Sequence, residues 1–191
     1  MLAQVNSALF AIVSALTLPM EHHVEQHQEV LLWNAKNPLG LEWQIVNDTV
    51  MGGVSRSQFF VGDTSGLFTG TLSLENNGGF ASVRSVAQDL NLSSELSQLM
   101  VRVRGDGRQY KMTARRRGTY DGVNYQKEFQ TKKGEWQEVE LDLKEFRPRW
   151  RGRSLNEPPL RADEIRSVGI IVSDKRQGPF KLEVEWIKLT N

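Results

Sequence analysis

The stretch "LMVRVRGDGRQYKMTAR", residues 99–115, decides the fold class. Val101 and Val103 alternate with two arginines, and the alternation resumes after the Gly-Asp-Gly at 105–107. Period-two alternation places apolar and polar side chains on opposite faces of a strand, and Asp-Gly is favoured in tight turns between strands. The segment therefore predicts a β-hairpin with one buried face and one wet face.

Similar short runs recur along the chain from Val30 onward. Most are bounded by Gly, Asn, Asp or Pro at intervals of roughly ten residues, a spacing typical of an all-β sandwich or barrel. Helical periodicity is nearly absent, with single turns expected near 93–99 and 161–166. We therefore expect one all-β domain over residues 30–191, with residues 1–29 as an N-terminal leader or tail. The predicted strands lie at 44–46, 57–61, 66–74, 80–85, 99–104, 109–115, 124–130, 135–143, 167–173 and 180–189.

Composition excludes several kinds of active site. The chain has 191 residues, enough for one domain with a hydrophobic core. It contains no cysteine, which excludes disulfides, thiolate nucleophiles, Cys-ligated zinc and iron–sulfur clusters. All three histidines lie within residues 22–27, so the main body lacks the commonest general base. No cofactor is expected.

The N-terminal run "MLAQVNSALFAIVSALTLPM", residues 1–20, is apolar. Its continuous apolar part is too short to span a bilayer, for which about 20 apolar residues are needed, so no transmembrane anchor is expected. The run resembles the hydrophobic part of a secretory signal, with a small-residue cleavage point at 13–15, but no Lys or Arg precedes it. An over-long start, with Met20 as the true beginning, is the alternative. A cytoplasmic location is favoured over export.

Charge is distributed unevenly along the chain. Residues 1–100 carry three basic and nine acidic side chains, whereas residues 101–153 carry fifteen and eight. The basic part includes "EFRPRWRGR", in which Arg149, Trp150 and Arg151 are candidate binding residues. Interleaved arginine and tryptophan bind phosphates, stack on bases or hold an acidic protein surface; a solvated loop with the tryptophan turned inward is the alternative. Because the net charge is only +1, an acidic protein partner is favoured and no nucleic acid is expected.

Two further stretches, "VNDTVMGGVSRSQF" (46–59) and "LENNGGFASVRS" (74–85), each combine a Gly-Gly pair with Asn or Asp. Glycine adopts positive φ and allows close approach of a backbone or ligand, while Asn and Asp side chains bond the main chain of turns. The pairs are predicted either to be corners where a strand crosses between sheets or to form a ligand-binding loop. Neither has the strand-to-helix context of a phosphate-binding glycine loop. The candidate binding residues are Asn47, Asp48, Met51, Gly52, Gly53, Arg56, Asn76, Asn77, Gly78 and Gly79.

No catalytic or metal-binding residue is predicted. His23 and His27 would share a helical face beside Glu25, but the segment offers no third ligand. The Arg-Gly-Asp at 104–106 resembles an adhesion tripeptide, and its interpretation as part of a tight turn is favoured. Hydrolysis would need paired carboxylates. Nothing in the sequence pairs any two of the loop carboxylates, namely Asp48, Asp63, Glu75, Asp121 and Asp174.

Four motifs resemble the complex I intermediate-associated protein family, and the similarity runs from Val30 to Thr190. The resemblance implies a galactose-binding-like jelly-roll β-sandwich of two antiparallel sheets. It also implies that relatives act as assembly chaperones of respiratory complex I, which bind partly assembled subunits without turning over a substrate. The motifs are "WQIVNDTVMGGVSRS" (43–57), "FTGTLSLENNGGFASVR" (68–84), "WQEVELDLKEFRP" (136–148) and "SVGIIVSDKRQGPFKLEV" (167–184).

Two classes of function remain open from the sequence. In the first, the domain is a non-enzymatic module that binds a protein client, such as a partly assembled membrane-complex subunit or an unfolded protein. In the second, the domain binds a carbohydrate or another small ligand in its loops, as jelly-roll modules do.

Overall fold

Two antiparallel β-sheets make up the described part of the chain. The computed structural model describes residues 27–36, 41–116 and 122–191. Among these residues, the helical elements are four 3₁₀ turns at Asp48–Met51, Glu75–Asn77, Leu143–Glu145 and Ala162–Glu164. The strands are β1 (Glu29–Asn34), β2 (Trp43–Ile45), β3 (Arg56–Val61), β4 (Gly66–Leu72), β5 (Ala81–Ser85), β6 (Gln98–Gly105), β7 (Gln109–Arg115), β8 (Asn124–Gln130), β9 (Trp136–Asp142), β10 (Arg147–Trp150), β11 (Arg153–Ser154), β12 (Ser167–Val172) and β13 (Gly178–Thr190).

The long strand β13 organises the six-stranded sheet, in which five strands have the order β3-β4-β13-β6-β9 and the sixth, β1, pairs with β13. Along one edge β13 pairs first with β4, over Gly178–Val184, and then with β1, over Trp186–Thr190. Its register with β6 shifts between Val184 and Trp186, where the apolar alternation of the sequence changes phase, as a bulge requires. The seven-stranded sheet has the order β11-β10-β8-β7-β12-β5-β2. The prediction of an all-β sandwich is confirmed.

The hydrophobic core lies between the sheets. Phe68 of β4 and Phe180 of β13 lie in it with their ring centroids 4.9 Å apart, and Tyr110 and Met112 of β7 are fully buried. Removing each such side chain from water contributes about 1.5–3 kcal/mol. The prediction of a β-hairpin over residues 99–115 is wrong, because β6 lies in the six-stranded sheet and β7 in the seven-stranded sheet. Alternation indicates which face of a strand is buried but not which strand it pairs with, and the alternation in this segment supplies both walls of the core.

The face of β7 that points away from the core is less exposed to solvent than the sequence predicts. Thr113 is only 5% exposed. On the neighbouring strand β12, a Cβ at Gly169 would lie 2.9 Å from Thr113 Oγ1 and 2.8 Å from Arg84 Cβ. Because ordinary cross-strand Cβ atoms are about 4.5–5.5 Å apart, glycine permits a close approach of side chains over β12.

The two ends of the described domain meet. Glu29 pairs with Thr190 in the β1–β13 ladder. Beyond that pair, the Gln28 N–H donates to Asn191 Oδ1 over 2.9 Å and the Asn191 N–H donates to the Gln28 carbonyl over 3.2 Å. The first and last strands thus close the six-stranded sheet side by side.

Candidate functional site

The two Gly-Gly stretches are two of the crossings between the sheets. Residues 46–55 lead from β2 in the seven-stranded sheet to β3 in the six-stranded sheet. Residues 73–80 lead back from β4 to β5. The interpretation of both pairs as corners is confirmed, and the corners lie together because β3 pairs with β4.

Asp48 joins the two crossings through its buried carboxylate, since the residue is 1% exposed. Oδ1 accepts a hydrogen bond from the Ser55 N–H at 2.9 Å. Oδ2 accepts from the Ser55 hydroxyl at 2.6 Å, from the Gly79 N–H at 2.7 Å and from the Phe80 N–H at 3.3 Å. Hydrogen bonds to a charged group contribute about 1.5–3 kcal/mol each. One side chain therefore fixes the backbone of both corners.

The two glycines of each pair have different structural roles. A Cβ at Gly53 would overlap the Asp48 carboxyl carbon, and a Cβ at Gly78 would lie 2.6 Å from Asp48 Oδ2. Gly52 and Gly79 instead turn the chain, with φ of 90° and 124°, a region that side chains disfavour. In each corner one glycine makes room for the carboxylate and the other reverses the backbone.

The asparagines of the two corners are also engaged by the fold. Asn47 is 9% exposed, and its Oδ1 accepts from the Ser57 hydroxyl at 2.7 Å and from the Ser82 N–H at 3.3 Å. Asn76 and Asn77 adopt φ of 54° and 57°, which asparagine tolerates better than most residues. The assignment of these residues to a binding site stays a prediction, while their geometry shapes the corners.

Apolar side chains project from the corners that Asp48 anchors. Val50 is 57% and Met51 62% exposed on the first corner, and Val54 and Leu74 are each 41% exposed. We call these four residues the apolar tip. Sequence reasoning singled out Met51 and missed the other three, although apolar residues inside a Gly- and Asn-rich loop were the available signal. Arg56, also predicted, is exposed at the start of β3.

The arginine-rich segment forms a hairpin at the edge of the seven-stranded sheet. Strands β10 and β11 are joined by Arg151 and Gly152, both with positive φ (45° and 78°), as a primed two-residue turn requires. Trp150 is 36% exposed, with the Arg151 guanidinium 5.1 Å from its ring centroid. Pro148 pairs with core residue Tyr125, so Trp150 points to that side of the strand and away from Arg149. The predicted interleaving of arginine and tryptophan therefore separates onto two faces.

The two predicted groups of site residues do not come together. The apolar tip follows β2, whereas the hairpin contains β11, and these strands are the opposite edges of the seven-stranded sheet. With strands spaced about 4.8 Å apart, six spacings separate the edges by about 29 Å. The chain therefore carries two separate candidate surfaces.

The loop carboxylates among the described residues either form hydrogen bonds and ion pairs within the fold or are exposed. Arg108 donates to both oxygens of Asp174, Nε to Oδ2 at 3.0 Å and Nη2 to Oδ1 at 2.6 Å, and its Nη1 donates to the Gly178 and Pro179 carbonyls. Burial alone would raise the pKa of the Asp174 carboxyl, but hydrogen bonds from Arg108 and the Arg176 N–H outweigh it, and the pKa lies below its ordinary value. Asp174 thus clamps the loop before β13 to the connection that crosses from β6 to β7.

The other motifs of the sequence have structural roles or lie elsewhere. Asp106 of the Arg-Gly-Asp accepts hydrogen bonds from the Arg108 and Lys181 N–H groups and from the Tyr110 hydroxyl. The tripeptide thus lies at the end of β6 and in the crossing to β7, and not in the predicted hairpin turn. Asp63 and Glu75 are exposed. Asp121, His23 and Glu25 lie outside the described residues.

Two searches of the described ranges gave negative results. No group of three or more His, Cys, Asp or Glu side chains is arranged there to hold a metal ion. None of the helical elements found there has the length and apolarity needed to cross a bilayer.

The family of the chain is decided by a match over residues 33–184 to the model of "Complex I intermediate-associated protein 30 (CIA30)". The chain belongs to the CIA30 family. A mouse relative, "Complex I intermediate-associated protein 30, mitochondrial", is 31% identical over 188 residues, covering 86% of this chain. The chain spans 57% of that relative's length.

Several of the solved structures similar to this CIA30-family domain are carbohydrate-binding modules. The family 11 module of the cellulosomal cellulase Lic26A-Cel5E of Clostridium thermocellum has a TM-score of 0.61 and 17% identity, covering 85% of this chain and 94% of the module. A mutant of a family 29 module has a TM-score of 0.54 and 8% identity, covering 86% and 92%. At these identities the likeness shows the fold, a galactose-binding-like jelly roll.

Proposed function

We propose that this CIA30-family domain is a non-enzymatic protein-binding module that acts as an assembly factor for respiratory complex I. The apolar tip is its contact surface for the client. The observation that carries the proposal is the exposure of Val50 and Met51, each more than half accessible, on a corner held by the buried Asp48.

A rigid apolar tip suits protein recognition. Burying apolar surface contributes about 25 cal/mol per Å², and a loop that is already ordered loses little conformational entropy on binding. A partly assembled membrane-complex subunit, or an unfolded protein, offers apolar surface that its final partners have not yet covered. Such a client matches the chemistry of Val50, Met51, Val54 and Leu74.

The carboxylates support a role without catalysis. Hydrolysis by carboxylates needs two such groups free to face a substrate. Asp48 and Asp174, the buried loop carboxylates, instead direct their oxygens to backbone N–H groups, to a hydroxyl and to Arg108.

The test uses cells of the source organism that lack the protein and are complemented with variants. Val50→Ser combined with Met51→Ser should lower the amount of assembled complex I on native gels, because it removes the apolar contact. The matched control is Phe60→Ser with Val61→Ser, since Phe60 and Val61 are 52% and 49% exposed at the end of β3. Photo-crosslinking from position 51 should recover complex I subunits.

Two outcomes would overturn the proposal in different ways. If cells with the tip variant contain as much assembled complex I as cells with the wild type, the tip is not the contact surface. Normal complex I in cells that lack the protein altogether would remove the assembly role.

Carbohydrate binding, the alternative from the sequence, is supported by the likeness of fold. The outward-facing strand positions of the seven-stranded sheet carry no aromatic side chain among the described residues, so that face offers no platform for a sugar ring. A ligand that binds the native state must raise its stability. A glycan array without signal, together with an unchanged Tm across sugars, would eliminate this alternative.

A further inference from the structure

The outer face of the seven-stranded sheet is strongly cationic. Alternate residues of a strand lie on opposite faces, and Tyr110, Met112, Tyr125 and Phe129 occupy the core. The residues that alternate with them along β7 and β8 therefore face outward, together with the residues paired to these on the neighbouring strands. The charged outward-facing residues of the described strands are the cations Arg84, Lys111, Arg115, Arg147 and Arg149 and the anion Glu128.

Four of the outward-facing side chains form one patch at the β8–β10 edge. Arg147 pairs in register with Gln126, and Arg149 pairs with Asn124. Cross-strand neighbours on one face have Cβ atoms about 4.5–5.5 Å apart. We call Asn124, Gln126, Arg147 and Arg149 the arginine ledge.

The ledge holds an unused hydrogen-bonding group. Asn124 is 8% exposed, and its buried Oδ1 has no hydrogen-bond partner among the residues that the structure describes. A buried acceptor without a donor costs free energy until one reaches it. This acceptor lies beside Arg149, on the face that the ledge presents.

The ledge arginines also differ from the strand arginines on the opposite side of the molecule. On the outer face of the six-stranded sheet, Arg102 pairs with Glu185 at 2.6 Å and Arg104 with Glu183 at 2.6 Å. Within the described ranges, neither Arg147 nor Arg149 lies within ion-pair distance of a carboxylate; Arg149 has a 3.5 Å contact to the Gly152 carbonyl. The fold thus pairs the arginines on one face and leaves two cations for a ligand on the other.

The spacing of the ledge matches an extended peptide. Arg147 and Arg149 are two residues apart on β10, about 6.7 Å along the strand, and residues i and i+2 of an extended peptide have the same spacing. Carboxylates form bidentate pairs with guanidinium groups. A peptide also supplies the N–H donor that Asn124 Oδ1 lacks, whereas a phosphodiester backbone offers only acceptors.

We propose that the arginine ledge binds an extended acidic segment of a partner protein, with the pattern Asp/Glu-x-Asp/Glu lying along β10. This inference rests on the proposed function and deepens it by naming the chemistry of the partner. The apolar tip and the ledge then contact the client at opposite edges of one sheet.

The experiment uses fluorescence anisotropy to measure binding of a fluorescein-labelled peptide to the full chain. The peptide has about nine residues, with two glutamates two positions apart and Gly and Ser at the other positions. Arg147→Ser with Arg149→Ser should weaken binding at least about tenfold, since hydrogen bonds between charged groups are lost. Replacing both glutamates of the peptide with glutamine should have a similar effect. Binding should also weaken as salt is raised.

The matched control is Lys132→Ser with Lys133→Ser, which removes the same charge from exposed positions beyond the other end of β8, about 20 Å along the strand. It should leave binding unchanged, and the Tm of each variant verifies its folding. No peptide binding, or an equal loss in the control, would overturn the proposal. So would arginine-dependent binding of a DNA oligonucleotide or an acidic oligosaccharide without peptide binding.

The tip variant Val50→Ser with Met51→Ser separates this inference from the proposed function. It should bind the peptide as the wild type does. If the wild type does not bind the peptide but crosslinking from position 51 still recovers complex I subunits, only the inference about the ledge is overturned. If the wild type binds the peptide but cells lacking the protein have normal complex I, only the assembly role is overturned.

Discussion

At the scale of single residues, one buried carboxylate explains the unusual composition of both corners. Asp48 bonds Gly79 and Phe80, which lie 31 and 32 positions away, and it also excludes side chains at Gly53 and Gly78. The sequence drew attention to these residues because Gly, Asn and Asp cluster there. It could not show that Asp48 is a structural tie rather than a ligand, because that role depends on partners distant in the chain.

Asp48→Asn should lower the free energy of unfolding by about 3 kcal/mol, because an amide has one acceptor oxygen and in either orientation its NH₂ would face a backbone N–H, that of Ser55 or those of Gly79 and Phe80. Urea unfolding at neutral pH measures the change. Asp63→Asn, on an exposed loop, is the control and should stay within about 0.5 kcal/mol of the wild type. A loss no larger than that of the control would contradict the role of Asp48 as the tie.

At the scale of elements, the sequence predicted ten strands, and each agrees within two residues at either end with β2–β9, β12 or β13. Apolar alternation indicates a strand when one of its faces packs on the core, so these strands could be predicted from the sequence. The hairpin β10–β11 was missed because Arg147 and Arg149 alternate with Pro148 and Trp150, without a recognisable apolar face. Its turn also uses Arg-Gly where Asn-Gly is the stronger signal.

The clamp between Arg108 and Asp174 should make the connection between β6 and β7 and the loop before β13 sensitive to acid. The pKa of Asp174 is lowered in the folded chain, while an unfolded aspartate titrates near about 3.9. The stabilisation is therefore present above about pH 4 and is lost as the pH falls through the folded pKa.

Asp174→Asn tests the clamp through the pH dependence of stability. The variant should be less stable than the wild type at pH 7, and the difference should shrink as the pH falls below about 4. Urea unfolding of both proteins at a series of pH values gives the measurement. A difference that stays constant down to the lowest pH at which both proteins fold would show that the carboxylate charge contributes nothing.

At the scale of the whole molecule, the two sheets share one core and so should unfold together. Phe68 and Phe180 lie in the six-stranded sheet, yet they belong to the same buried cluster as Tyr110 and Ile170 of the seven-stranded sheet. The amphipathic strands predicted this sandwich from sequence. The separation of the apolar tip from the arginine ledge was not predictable, because it depends on the order of strands within a sheet.

Phe68→Ala should lower the free energy of unfolding by about 3–5 kcal/mol, since it leaves a cavity in the shared core. Phe60→Ala, at a half-exposed position on the neighbouring strand β3, should have an effect below about 1 kcal/mol. Tryptophan fluorescence and far-UV circular dichroism should report coincident transitions for both variants. Separate transitions would show that the sheets unfold independently.

Because Gln28 and Asn191 are hydrogen-bonded neighbours, this domain can be placed within a longer polypeptide. A chain that enters at one of these residues leaves beside the other, so the domain can be inserted into a surface loop of a host protein like a cassette, without stretching either junction. Circular permutation is open for the same reason: a short linker can join the two ends while new termini are cut in a loop elsewhere.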